Sequence, residues 1–91
     1  LEPKDIVAEG EEALNVAEAL TATTLKILRM LSGERLDVST IASRLNLSEA
    51  YISEQIRLLE ELRLINVNYE RGKRGIRKIC GTAVRKITLI I

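Results

Sequence analysis

Ninety-one residues suit one small domain with a modest core, and without Phe or Trp that core must be built from Leu, Ile, Val and Ala. The absence of His excludes His-based general bases and His-rich metal sites, and the lone cysteine, Cys80, excludes an internal disulfide. A net charge of +1 conceals an asymmetry: residues 1–20 carry six acids against Lys4, whereas residues 63–86 carry eight bases against Glu70.

A polyanion would therefore meet the second half of the chain. No apolar run approaches the roughly 18 residues of a membrane span, and no signal peptide is visible. Together with the single thiol, this gives the expectation of a cytoplasmic protein with no membrane partner. Starting at Leu1 rather than Met, the chain reads as a processed or excised piece.

The acidic opening reads as a helix from Asp5 or Glu11 to Leu20. Ile6, Gly10, Ala13, Leu14, Ala17 and Leu20 follow a helical stripe, with Gly10 as a point of weakness. A second helix follows, capped by Thr21 or Thr23, burying Leu25, Leu28 and Leu31 with Ile27 alongside, and ending at Ser32-Gly33. Glu34, Arg35 and Leu36 form a short extended connection.

Residues 37–62 read as a helix-turn-helix. Asp37 is an N-cap, and Ile41, Ala42 and Leu45 fall on one helical face. Asn46 can adopt the left-handed conformation that ends a helix, and Leu47 is expected to plug the turn. Ser48 then caps a second helix whose Ile52, Ile56, Leu59 and Leu62 form one apolar stripe. Its other face carries Ala50, Tyr51, Ser53, Glu54, Gln55 and Arg57, a polar surface of the kind that enters the DNA major groove.

After Leu64 the period changes to two. Ile65, Val67 and Tyr69 alternate with polar residues as a half-buried strand. Arg71-Gly72-Lys73-Arg74-Gly75 is a glycine-bounded basic turn, and residues 76–80 return as a partner strand. This hairpin, within 64–82, is a β wing whose Arg residues suit a minor groove. Residues 83–91 alternate as a further strand, expected to pair in the sheet or in a dimer.

The run ALTATTLKILRMLSGERLDVSTIASRLNLSEAYISEQIRLLEELRLINV resembles the winged-helix repressors of the arsenical-repressor (ArsR-like) family, most specifically in SEAYISEQIRLLEELRLI. The resemblance covers roughly Ala13 to Cys80. It implies a single domain, mainly α with a small antiparallel β wing: a three-helical core plus an N-terminal helix and a β-hairpin. It further implies that the N-terminal helix packs against its mate across a homodimer two-fold, through Ile6, Leu14 and Ala17. The family usually has Arg where Thr24 stands, which implies the loss of one backbone or dimer contact. Many members sense metals through cysteines on the helix matching residues 38–45, but here Val38, Ser39 and Thr40 stand instead, so no metal or cofactor is expected.

The expected function is that of a sequence-specific regulator binding double-stranded DNA as a homodimer. Ser48 and the first amides of helix 49–62 would hold a phosphate. Ala50, Tyr51, Ser53, Gln55 and Arg57 would face bases or the nearby backbone, Gln55 reading adenine and Arg57 guanine or phosphate. Arg71, Lys73, Arg74 and Arg77 on the wing would supply the salt-sensitive attraction. No catalytic constellation can be assembled, so an enzyme is not expected. Cys80, without a thiol or His partner, reads as a small buried hydrophobe, with thiol oxidation as an open alternative. The rival reading is a winged helix for protein–protein assembly, suggested by the acidic first helix and by Glu49, Glu54, Glu60 and Glu61.

Overall fold

The computed structural model describes residues 2–91, so the Leu1 end of the expected 1–20 segment lies outside them. Four helices and five strands follow in the order β1 (Lys4–Glu9), α1 (Gly10–Ala19), α2 (Ala22–Leu31), β2 (Leu36–Asp37), α3 (Val38–Leu45), α4 (Glu49–Glu61), β3 (Ile65–Gly72), β4 (Gly75–Thr82) and β5 (Val84–Ile90). A three-stranded antiparallel sheet has the order β2-β4-β3, and a separate parallel pair joins β1 to β5.

The opening differs from a continuous helix. Gly10 sits at φ +63°, a conformation that costs glycine little, and the chain turns there from strand into helix. Before that turn, Ile6 and Ala8 face the core while Val7 and Glu9 face out, the two-residue alternation of a strand. Ile6 lies opposite Ile87 of β5 and packs on the core of its own chain. The C-terminal segment thus pairs within the chain, with a strand that replaces the first turns of a helix begun at Asp5; a helix begun at Glu11 agrees with α1 to within one residue.

The second helix begins where expected. Thr21 and Thr24 exchange hydrogen bonds reciprocally, Thr24 N to Thr21 Oγ1 at 3.2 Å and Thr21 N to Thr24 Oγ1 at 2.8 Å. Ile27, Leu28 and Leu31 are buried, but Leu25 is 47% exposed, because the helix turns its inner face toward Thr24 and Ile27 instead. Thr24 is fully buried and donates to Ala19 O at 2.6 Å, closing the α1–α2 corner. An Arg in its place would meet an apolar corner, and the hydroxyl's role here is structural.

The core gathers Val16, Ile27, Ile41, Ile52, Ile56, Leu59, Leu64 and Cys80 between the helices and β4. Ile52, Ile56 and Leu59 are the inward stripe of α4, as its spacing predicts. Leu47 is half exposed, so the turn is closed by its backbone rather than its side chain: Leu47 N donates to Ala42 O at 3.0 Å beyond Asn46, at φ 57°.

Candidate nucleic-acid interface

Two elements compose the candidate surface, α4 and the β3–β4 hairpin. Ser48 Oγ accepts from Tyr51 N at 3.1 Å, satisfying one of the first amides of α4 and fixing where the helix starts. Ala50, Tyr51, Ser53 and Glu54 are exposed on its outer face, and Gln55 is partly so. Because Ser48 already caps the helix, a phosphate there would meet the remaining first-turn amides.

Arg57 is not free. It donates to Glu54 from Nε at 3.2 Å and from Nη2, and to Glu61 from Nη1, so both carboxylates bracket one guanidinium along a single face of α4. Hydrogen bonding to Arg57 holds the Glu54 carboxyl below its usual range, and Glu54 in turn raises the Arg57 pKa. With Glu49, Glu54, Glu60 and Glu61 against Arg57, α4 carries a formal charge of −3. The presence of the acids was readable from sequence; their i+3 and i+4 capture of the one base follows from helix geometry.

The hairpin runs in register from Ile65 opposite Thr82 to Gly72 opposite Gly75, leaving Lys73 and Arg74 as its two-residue tip. Gly75 supplies φ +114° at the return, and a side chain at Gly72 would strike Arg77 Cδ at 2.8 Å. Arg71, Lys73 and Arg74 are exposed, and among the described residues none of them is in an ion pair. Tyr69, expected on the inner side, is 66% exposed, as the hairpin extends past the core before reaching its tip.

Arg77 behaves differently from the other wing bases. Its guanidinium binds the Asp37 carboxylate, 2.9 Å from Nη2, and so ties β4 to the N-cap of α3. Next to it, Lys78 reaches Glu60 on α4 at 3.4 Å. On the other side of the sheet's root, Arg35 donates to Asn66 Oδ1 at 2.8 Å, and Gly81 leaves room for that side chain. These links were not visible in the sequence, since their partners lie 18 to 40 residues apart.

Cys80 is fully buried, and desolvation pushes its thiol up from the ordinary range, which keeps it protonated and unreactive at neutral pH. Among the described residues no group of three or more acidic or thiol side chains is placed to hold a metal. Among the described residues no helix is long and apolar enough to cross a membrane. On α1, Leu14 and Ala17 are exposed, unlike Ile6.

A three-helix core with a recognition-type helix and a basic β-hairpin defines a winged helix-turn-helix of the DNA-binding regulator class. The sequence pattern of bacterial regulatory proteins of the arsR family matches residues 21–67, and the chain belongs to that family. Membership places it among non-catalytic regulators. No curated protein sequence matches the chain. Among solved structures, reduced HlyU from Vibrio cholerae is 25% identical, with a TM-score of 0.67 over 79% of this chain and 73% of that one. ZitR from Lactococcus lactis, solved as a mutant, is 27% identical, with a TM-score of 0.63 over 75% of this chain and 50% of that one. A homodimeric winged helix-turn-helix DNA-binding domain from Mycobacterium bovis is 23% identical, with a TM-score of 0.69 over 80% of this chain and 65% of that one.

Proposed function

We propose that the protein is a homodimeric transcriptional regulator that binds double-stranded DNA, with residues 49–62 in the major groove and the wing on the flanking groove or backbone. The observation that carries this reading is the hairpin tip. Arg71, Lys73 and Arg74 stand exposed and, among the described residues, in no ion pair, next to a helix-turn-helix that presents Ala50, Tyr51, Ser53 and Gln55. Three such bases supply the counterion-releasing attraction on which duplex binding depends. Ser53 and Gln55 supply neutral groups able to read base edges, and Ser48 with the first amides of α4 approaches a phosphate. Arg57 and Arg77 contribute less than their charge suggests, since each is already paired with carboxylate. The homodimer is supported by the likeness to a homodimeric DNA-binding domain and by the apolar Leu14 left exposed on α1.

Fluorescence anisotropy with mixed-sequence duplex DNA across a salt series tests this reading. Binding with a steep salt dependence, its slope reduced by about one unit in Arg74→Ala, is expected. An unchanged slope in that variant would remove the wing from the interface.

The formal charge of −3 on α4 favours a second reading, a winged helix that docks on a basic protein surface. No DNA binding at low salt would move the assignment there.

A further inference from the structure

The two faces of the β3–β4 hairpin are chemically distinct. In register, Asn66 lies opposite Gly81, Asn68 opposite Ile79 and Glu70 opposite Arg77, and these pairs share one face. That face is polar and engaged with itself. Arg35 donates to Asn66, Arg77 binds Asp37, and the Arg77 stem lies over Gly72. The opposite face runs outward from the core through Val67 opposite Cys80, Tyr69 opposite Lys78 and Arg71 opposite Ile76. No acid stands among those six residues. Lys78 reaches Glu60, so this face opens toward α4. Past the buried Cys80 it carries two large side chains left in solvent, Tyr69 and, at 73% exposed, Ile76.

We propose that Tyr69 and Ile76 are DNA contacts: the wing lays this face against the deoxyribose edge of the groove flanking α4, while Arg71, Lys73 and Arg74 meet phosphates beside it. The proposal rests on the DNA-binding reading and adds the face of the wing that binds and a part of the binding that is not electrostatic. Charge selects the face. A duplex against the other side would bring phosphates onto Glu70 and Asp37, whereas here the apolar pair sits between Arg71 and Lys78 and runs into the basic tip. Size selects the occupant. Two side chains are far short of the roughly 800 Å² that each partner buries in a stable protein interface. They match the apolar faces of one or two sugars, which lie between the phosphates that the neighbouring bases would hold. Burying apolar surface there adds affinity that counterions do not set, in contrast to the phosphate contacts.

Duplex binding across a salt series, read by anisotropy as affinity and as slope, tests the contact. Tyr69→Thr and Ile76→Thr keep strand-forming residues in the hairpin while removing the apolar surface. Each should weaken binding about threefold to tenfold at every salt concentration and leave the slope at the wild-type value. Tyr69→Phe, which keeps the ring, and Asn68→Ala, on the opposite face, should bind as the wild type does. Unchanged affinity in both Thr variants, beside a reduced slope in Arg74→Ala, would overturn the apolar contact and leave DNA binding by the wing standing. So would a loss of affinity in the Thr variants accompanied by a reduced slope, because a hairpin that unfolds also withdraws its three bases. A wild-type protein that binds no duplex at low salt would overturn both readings and point to an acidic protein partner instead.

Discussion

Arg77 on β4 donates from Nε and Nη2 to Oδ2 of Asp37, at 3.2 and 2.9 Å, while Asp37 Oδ1 accepts the backbone N–H of Thr40 at 2.9 Å. One carboxylate therefore starts α3 and anchors the wing. That link adds to the backbone pairing of Leu36 and Asp37 with Cys80 and Ile79, which joins β4 to the same segment.

The clamp makes stability pH-dependent. Hydrogen bonds from Thr40, and to a smaller extent Arg77, hold the Asp37 carboxyl below its usual range. A carboxyl lowered in the folded state stabilises the fold above the unfolded value of about 3.9, and that contribution is lost as pH falls through the lower folded value. Urea unfolding from pH 6 to pH 3 should show a steeper loss of stability in the wild type than in Asp37→Asn. Asp37→Ala should cost about 1 kcal/mol at neutral pH as a lost helix cap. Equal acid sensitivity in wild type and Asp37→Asn would remove this carboxyl from the acid response.

Arg57 should matter less to DNA than its position on α4 suggests. Its charge is already met by Glu54 and Glu61, so Arg57→Ala should leave the salt slope near the wild-type value. Glu54→Gln with Glu61→Gln should release the guanidinium and tighten duplex binding with a steeper slope. Weaker binding in that double variant would show that the acids themselves contact DNA.

At the end of α4, Arg63 takes φ 60°, with Arg63 N bonding Glu60 O and Leu64 N bonding Leu59 O, both at 2.9 Å. This is a left-handed helix stop occupied by a residue with a Cβ. Arg63→Gly should stabilise the protein by up to about 1 kcal/mol, seen as a higher urea midpoint with an unchanged m-value. Asn46→Ala, at the matching stop of α3, should destabilise by about 1 kcal/mol, since Asn tolerates that conformation and Ala does not.

The Thr24 hydroxyl is the buried polar group on which the α1–α2 corner depends. Thr24→Val preserves shape and leaves Ala19 O and Thr21 N without their partner, at a cost of about 1–3 kcal/mol. Thr24→Ser should recover most of that loss in thermal or urea unfolding. If Val were tolerated without loss, water would have to reach the corner.

The sequence by itself determined the helix-turn-helix, because its signals are local. Asp37 and Ser48 as caps, Asn46 as a helix stop, and the Ile52, Ile56 and Leu59 stripe act within a few residues, and the structure keeps each in place. The hairpin was legible for the same reason, from alternation bracketed by Gly72 and Gly75. Only the tertiary structure decided the rest. Residues 4–9 are compatible with a helix by periodicity, yet they become a strand because β5, some 80 residues away, offers Ile87 and Leu89 opposite Ile6 and Ala8. Leu25 and Tyr69 were placed inside by pattern, but where each element meets the core is set by packing, which period alone does not encode. Likewise, which bases remain open to a polyanion depends on pairing in space: Arg77 finds Asp37 across the fold, while among the described residues Arg71, Lys73 and Arg74 form no ion pair.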